Sequence, residues 1–172
     1  MFYNNVRGRP EKKHIISRES AYHGSTYLAS SACGKSRDKS HMDVDTNLFH
    51  FVSDPETYHR PDDIDEANWL DYLLKEFEDK ILEIGPDKCA AFIGEPLLAS
   101  GGVSIPPKGY HKQILEICHK HDMLYISDEV VTAWGRLGHW FASEEVFDIK
   151  PDMITTAKGL TSGYQPLGAL LI

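Results

Sequence analysis

Two short apolar runs with charged ends are the strongest structural signal in the sequence. Residues 123–130 read Met-Leu-Tyr-Ile-Ser-Asp-Glu-Val, and residues 153–159 read Met-Ile-Thr-Thr-Ala-Lys-Gly. Each run has the length and composition of a buried strand. The first strand ends at Asp128, and Lys158 directly follows the second. Because ligands bind outside the carboxyl ends of strands in open α/β sheets, we expect Asp128 and Lys158 to lie at one site.

The sequence on either side of these runs contains further predicted strands. Residues 14–17 and 89–94 are apolar enough to form short buried strands, and 166–172 turn into another buried-strand pattern. Residues 34–60 are polar and show little periodicity, which predicts a loop. A loop of this length is either functional or a warning that the loop assignment is wrong. The predicted strands are therefore spaced widely enough for helices to connect them.

Helices are predicted between these strands. Small and apolar residues over 25–33 and helical spacing over 64–84 and 110–122 predict three helices, and a shorter helical segment begins at Ser143. The second helix is expected to begin at a cap formed by Asp62 or Asp63 and to end at Gly85-Pro86. The alternation predicts the α/β class: a three-layer α/β/α fold around a mostly parallel sheet.

The end of the first run has a chemistry of its own. Successive strand side chains point to opposite faces, so Asp128 and Val130 share one face and Glu129 takes the other. A lysine and an aspartate presented together are what pyridoxal 5'-phosphate (PLP) requires: the lysine binds its aldehyde, and the carboxylate keeps its ring nitrogen protonated. Two plainer interpretations stay open, a strand-end acid bonded to a loop and a solvated surface lysine.

Composition excludes several classes of function. The chain has 172 residues and a formal net charge of −8, which argues against a nucleic-acid surface. No apolar stretch approaches membrane-spanning length, and three cysteines without paired spacing indicate a reducing compartment. His111, His119 and His121 do not share a helix face, so no metal site is predicted. With no secretory pattern, the prediction is a cytoplasmic protein that binds neither membrane nor nucleic acid.

Five groups of short segments occur in a characteristic order. They are Ala21-Tyr22-His23-Gly24-Ser25-Thr26; Gly94-Glu95-Pro96; Pro106-Pro107-Lys108-Gly109-Tyr110; Ser127-Asp128-Glu129-Val130 with Gly135-Arg136; and Thr156-Ala157-Lys158-Gly159 with Gly168. Together they resemble the class III (omega) aminotransferases, which are PLP-dependent enzymes of fold type I. The resemblance extends from about Gly8 to the last residue, and the combination is far more specific than any single segment.

The resemblance implies a role for each matching residue. Lys158 corresponds to the lysine that binds the cofactor, and Asp128 to the partner of the ring nitrogen. The remaining cofactor-binding residues implied are Tyr22 stacking on the ring with His23 and Gly24 beside it, Val130 on the opposite ring face, and Glu95 of the Glu-Pro segment near the cofactor. Without the surrounding motifs, Tyr22 would be interpreted as a half-buried core tyrosine and His23 as a loop histidine.

The sequence also departs from the family pattern. Ala133-Trp134 stands where the family often has Gly-Phe, and the larger ring is expected to alter the substrate pocket. The family's phosphate-binding turn would lie before residue 1, and its small domain and partner-subunit threonine beyond Ile172. We therefore expect residues 1–172 to be a partial PLP-binding large domain of a homodimer or dimer of dimers. A genuine terminal strand at 166–172 is the alternative.

The resemblance implies a reaction as well. The expected function is a PLP-dependent aminotransferase that moves an amino group from a small-molecule amine or omega-amino acid to a keto acid such as pyruvate. The fragment by itself is expected to be inactive. Two alternatives remain: other PLP chemistry on the same fold, as in an aminomutase or a decarboxylase, and a non-catalytic α/β fragment.

Overall fold

The computed structural model describes residues 2–172, which are built around a six-stranded sheet. Its strands are β1 (His14–Arg18), β2 (Phe49–Val52), β3 (Cys89–Gly94), β4 (Leu124–Asp128), β5 (Met153–Thr156) and β6 (Ala169–Leu171). The strand order is β2-β1-β3-β4-β5-β6, and every neighbouring pair is parallel except β5 with β6. This mostly parallel sheet confirms the predicted α/β class.

Helices connect the strands and cover the sheet. They are α1 (Phe2–Val6), α2 (Tyr27–Ala32), α3 (Ser36–Lys39), α4 (Glu66–Ile84), α5 (Tyr110–Lys120) and α6 (Ala142–Glu145), with a 3-10 turn at Lys158–Thr161. The two long helices α4 and α5 pack against each other, while the short α2 contacts β1 and β2. No helix within residues 2–172 combines the length and the apolar character needed to cross a bilayer.

The main core lies between the two long helices and the sheet. Helix α4 buries Trp69, Leu73, Phe77 and Ile81, whose spacing of four residues places them on one face. The Phe77 ring meets Phe92 of β3 edge to face at 5.3 Å, and Phe92 meets Tyr125 of β4 at the same distance. Aromatic pairs of this geometry each add about 1 kcal/mol beyond the burial of their area.

Two local predictions were wrong. The segment predicted as a loop over 34–60 contains α3 and strand β2, which extends the sheet beyond β1. Strand β2 has only four residues, Phe49-His50-Phe51-Val52, and the polar stretches around it hide its apolar pattern. The N-cap of α4 is Asp65 rather than Asp62 or Asp63, since its Oδ1 accepts the Asn68 N–H at 2.9 Å.

The pairing of β4 with β5 places the two charged strand ends side by side. Asp128 is in register with Thr155, and the Glu129 N–H donates to the Thr155 carbonyl at 2.9 Å. The segment after β5 therefore begins level with the end of β4. As the two apolar runs predicted, Asp128 and Lys158 leave the sheet at the same edge.

The cap of α4 can be tested in an isolated peptide of residues 61–86. Replacing Asp65 by Ala removes the acceptor for the Asn68 N–H and should destabilise the helix by about 1 kcal/mol. Circular dichroism near 0 °C should show a loss of helicity. The matched change Asp63→Ala should leave helicity almost unaltered, and equal losses in the two peptides would contradict the assigned cap.

Candidate functional site

A cavity of about 130 Å³ lies at the carboxyl edge of the sheet. Four segments contribute to its wall: the loop after β1, the turn after β3, the end of β4 and the turn after β5. Every site residue predicted from the sequence lines this one cavity: Tyr22, His23, Gly24, Glu95, Asp128, Val130 and Lys158. The structure therefore brings together residues that are more than 100 positions apart in the chain.

Asp128 lines the cavity and is buried, with 5% of its surface exposed. Its Oδ2 lies 2.6 Å from Nδ1 of His23, and its Oδ1 accepts the Val130 N–H at 3.1 Å. The other ring nitrogen of His23, Nε2, lies 3.1 Å from Oγ of Ser17. The histidine thus stands between a serine of β1 and the aspartate of β4, and it orients the carboxylate from one side.

Glu95 holds the loop that carries Tyr22. One carboxylate oxygen accepts the Tyr22 N–H at 3.1 Å, and the other accepts the Ala99 N–H at 3.0 Å. The Tyr22 hydroxyl is tied to Oγ of Ser25 at 2.9 Å, while its side chain stays 39% exposed. Glu95 therefore fixes the backbone at Tyr22 and leaves the aromatic ring accessible from the cavity side.

Lys158 is exposed and opens the 3-10 turn after β5. Its φ of +39° lies in the left-handed region, which is unusual for a residue with a Cβ. Backbone strain of this kind costs about 1–3 kcal/mol and is concentrated at functional sites. The turn is closed by the Leu160 N–H, which donates to the Ala157 carbonyl at 2.9 Å. The sequence alone had not indicated this backbone conformation.

A buried network supports the Glu95-Pro96 turn from behind. Nη2 of Arg18, which is fully buried, donates to the Glu95 carbonyl at 2.6 Å. Nε2 of His111 donates to the Pro96 carbonyl at 2.8 Å, and its Nδ1 accepts the Tyr125 hydroxyl at 2.6 Å. Burial, and secondly the charge of Arg18, lowers the pKa of His111 to about 3. The imidazole therefore stays neutral at physiological pH, so that it can donate to the Pro96 carbonyl and accept from the Tyr125 hydroxyl at the same time.

Glu129 lies on the other face of β4 and is fully buried. Its carboxylate accepts the N–H groups of Ala142 and Ser143 at 2.7 and 2.8 Å, and the hydroxyls of Thr132 and Ser143 at 3.0 and 2.5 Å. The strand alternation predicted this divergence from Asp128. Glu129 is thus a structural carboxylate that fixes the start of α6.

Sequence reasoning missed the residues that support the site. Ser17 contacts His23, Arg18 contacts the Glu95 carbonyl, and His111 contacts Pro96, the neighbour of Glu95. These partners lie 6, 77 and 15 positions away, and nothing in the local sequence indicates them. One signal was available for Arg18, because it follows a predicted buried strand on the same face as Ile16. Trp134 lines a neighbouring groove with Trp140 and Phe141 rather than the cavity of Lys158, and its expected effect on a substrate pocket stays a prediction.

The fold and the cavity define a class of protein: an α/β domain with a lysine and a buried aspartate at the carboxyl edge of a mostly parallel sheet. A family model described as aminotransferase class-III matches residues 1–172. The chain belongs to the class-III aminotransferase family. This match confirms the family resemblance seen in the sequence. Enzymes of this family depend on PLP and act on amines and keto acids.

Individual relatives extend this finding. The chain is 43% identical to a diaminobutyrate–2-oxoglutarate transaminase of Halomonas elongata, with 99% of this chain and 37% of that protein covered. It is 42% identical to a vanillin aminotransferase of Capsicum frutescens, covering 99% and 37%. The omega transaminase from Pseudomonas jessenii in complex with PMP superposes with a TM-score of 0.93 at 41% identity, covering 99% and 38%. The chain thus spans just over a third of the length of these relatives.

The supporting network predicts a specific pH dependence. The pKa of His111 is lowered on folding, so the unfolded chain binds its proton first as the pH falls. Its contribution to stability is complete above its ordinary pKa of 6.5 and is lost as the pH falls towards 3. Between pH 7 and pH 5 the free energy of unfolding should lose about 2 kcal/mol through His111 alone.

Urea unfolding of the intact protein and its His111→Gln variant at both pH values measures this loss as a difference. Glutamine keeps a donor for Pro96 and an acceptor for Tyr125 but has no proton to gain. Burial also lowers the pKa values of His14 and His50, but their contribution is common to both proteins and cancels. The exposed His119→Gln is the control. An unchanged pH dependence in His111→Gln would contradict the prediction.

Proposed function

We propose that this chain forms part of a PLP-dependent aminotransferase that moves an amino group from an amine or omega-amino acid to a keto acid such as pyruvate. The observation that carries the proposal is the single cavity lined by Lys158, buried Asp128 and accessible Tyr22. Membership of the class-III aminotransferases supports it, and so does the similarity to a transaminase in complex with PMP.

The side chains around the cavity suit PLP chemically. A pyridine ring needs an anion at its nitrogen, flat or apolar contacts on its two faces and an amine near its aldehyde. Asp128 supplies the anion, Tyr22 and Val130 supply an aromatic and an aliphatic contact, and Lys158 supplies the amine. His23 and Gly24 complete the wall between Tyr22 and the aspartate. The residues present therefore fit the cofactor that the family uses.

When bound, PLP would supply an electron sink for the substrate carbon that gains or loses the amino group. Asp128 would hold a proton on the ring nitrogen through its carboxylate, and His23 would keep that carboxylate in position. Tyr22 would pack on one face of the ring and Val130 on the other. Glu95 would act indirectly, because both of its oxygens accept backbone N–H groups and so fix Tyr22.

Lys158 would have two tasks. Its Nζ would be the point at which the cofactor is attached before the amine donor arrives. When free, the same Nζ would hold and move a proton at the substrate carbon. The exposure of Lys158 supports this double role, because a side chain that detaches and returns needs room to move.

The remaining parts of the catalytic unit belong to this proposal as well. The chain spans just over a third of its relatives' length, so we propose that groups outside residues 1–172 bind the cofactor phosphate and the substrate carboxylate. The proposed assembly is a homodimer or a dimer of dimers, in which a partner subunit completes the site. The substrates are small molecules, and neither nucleic acid nor membrane is proposed as a partner.

Borohydride reduction tests the attachment point. In the intact protein loaded with PLP, reduction should fix the cofactor to Lys158, and peptide mapping should locate the label there. The Lys158→Ala variant should remain unlabelled at this position and lose amine-to-keto-acid transfer.

The same experiment on residues 1–172 alone should give weak labelling or none, since the proposed phosphate-binding groups are absent. Replacing Lys108, an exposed lysine outside the cavity, by Ala provides the control and should leave the label in place. A label on another lysine of the intact protein would contradict the assignment of Lys158.

Asp128→Asn tests the role of the buried carboxylate. A neutral amide cannot hold a proton on the ring nitrogen, so turnover should fall by about two orders of magnitude or more. Equilibrium binding of PLP should weaken much less. The exposed Asp148→Asn is the matched control and should keep normal turnover. An Asp128→Asn protein with full turnover would remove this carboxylate from the mechanism.

A further inference from the structure

Trp134 contacts the chain on both sides of Lys158. Its indole Nε1–H donates to Oγ1 of Thr156 at 2.6 Å. A Cβ added at Gly159 would lie 2.9 Å from Cβ of Trp134 and 3.3 Å from its Cδ1, so the indole packs directly on this glycine. One side chain thus holds the residue two positions before Lys158 and the residue immediately after it.

Trp134 is itself held firmly. Its backbone N–H donates to the Trp140 carbonyl at 2.8 Å, which helps to offset the strain of its left-handed φ of +63°. The next residue repeats the pattern, because the Gly135 N–H donates to the His139 carbonyl at 2.9 Å. The indole also meets the Phe141 ring at a centroid distance of 5.3 Å. Two backbone hydrogen bonds therefore close the loop over 134–141, from which the indole reaches the β5 segment.

The segment around Lys158 needs such support. Lys158 is exposed and has a left-handed backbone conformation, so neither burial nor intrinsic preference holds it in place. Thr156, in contrast, is only 2% exposed and is the last residue of β5. A hydrogen bond to its buried hydroxyl connects the start of the lysine turn to the loop after β4.

We infer that Trp134 is a positioning residue for Lys158, acting through its bond to Thr156 and its contact with Gly159. The inference rests on the proposed assignment of Lys158 as the catalytic amine. The hydrogen bond is specific to tryptophan among the apolar aromatic residues, because the indole has an N–H to donate and a phenyl ring has none. In this role Trp134 acts on the backbone that carries Lys158.

The test uses three variants of the intact protein and one control. Trp134→Phe keeps an aromatic ring against Gly159 and removes the donor, whereas Thr156→Val removes the acceptor with little change of shape. The third variant combines the two changes. Trp140→Phe is the control, because it makes the same substitution at a side chain that is 74% exposed and forms an aromatic contact with Trp134.

The first readout is amide hydrogen exchange in the cofactor-free protein. The Leu160 and Ser162 amides, which close the lysine turn, should exchange about tenfold faster in both single variants. The double variant should exchange at nearly the same rate as each single variant, because the same bond is lost only once. Amides within β4 should keep their exchange rates, whereas a general loss of stability would speed their exchange as well.

The second readout is steady-state kinetics of the loaded protein. The position of the Lys158 amine should affect the chemical step more than it affects substrate binding. We therefore expect kcat to fall about tenfold, while KM for the amine donor changes less than about threefold. Trp140→Phe should match the parent protein in both readouts. Unchanged exchange at Leu160 in Trp134→Phe, additive effects in the double variant, or an equal effect of Trp140→Phe would each overturn the inference.

The outcomes separate this inference from the proposed function. A borohydride label on a lysine other than Lys158 would refute the function and with it the positioning role. A label on Lys158 together with a normal Trp134→Phe protein would refute the positioning role alone.

Discussion

The site depends on the burial of two neighbouring carboxylates at the end of β4. A desolvated carboxylate costs several kcal/mol unless hydrogen bonds replace its water. Strand alternation sends Asp128 and Glu129 to opposite faces, so each must find its own partners. Glu129 accepts from Thr132, Ala142 and Ser143, while Asp128 is held by His23 and the Val130 N–H. A shift of one residue would break both sets of bonds, and the register of β4 is therefore fixed.

The register of β4 also determines the position of Lys158. Because the Glu129 N–H donates to the Thr155 carbonyl, the end of β4 sets the height of β5 in the sheet. The Glu129 carbonyl also accepts the Ala133 N–H, which fixes the start of the loop that carries Trp134. The structural carboxylate on the far face thus helps to place both the Lys158 turn and the indole beside it. Substitutions at Glu129 should therefore disturb the Lys158 turn, although Glu129 does not line the cavity.

Much of the fold was predictable because its signals are local. The apolar run at 89–94 forms β3 with those bounds, and the alternation around Asp128 and Glu129 gives their faces. The short strand β2 was missed because its sequence signal is too brief to stand out from polar surroundings. The bond between Glu95 and the Tyr22 N–H joins residues 73 positions apart. Such contacts follow from the tertiary packing, and no periodicity or local motif encodes them.

The burial of each side chain around the cavity agrees with its role in the proposed function. Asp128 and Glu95 are each 5% exposed and accept hydrogen bonds from backbone and imidazole N–H groups. The positions of both carboxylates are therefore fixed. Lys158 and Tyr22 are both exposed. The Tyr22 N–H is bound by Glu95, and the Lys158 carbonyl accepts the Gly163 N–H at 3.3 Å. In the proposed function the fixed anion would hold the ring nitrogen at one point, while the lysine amine would keep room to move. A fully buried lysine would lose that freedom, and an exposed aspartate would lose its charge interaction to solvent screening.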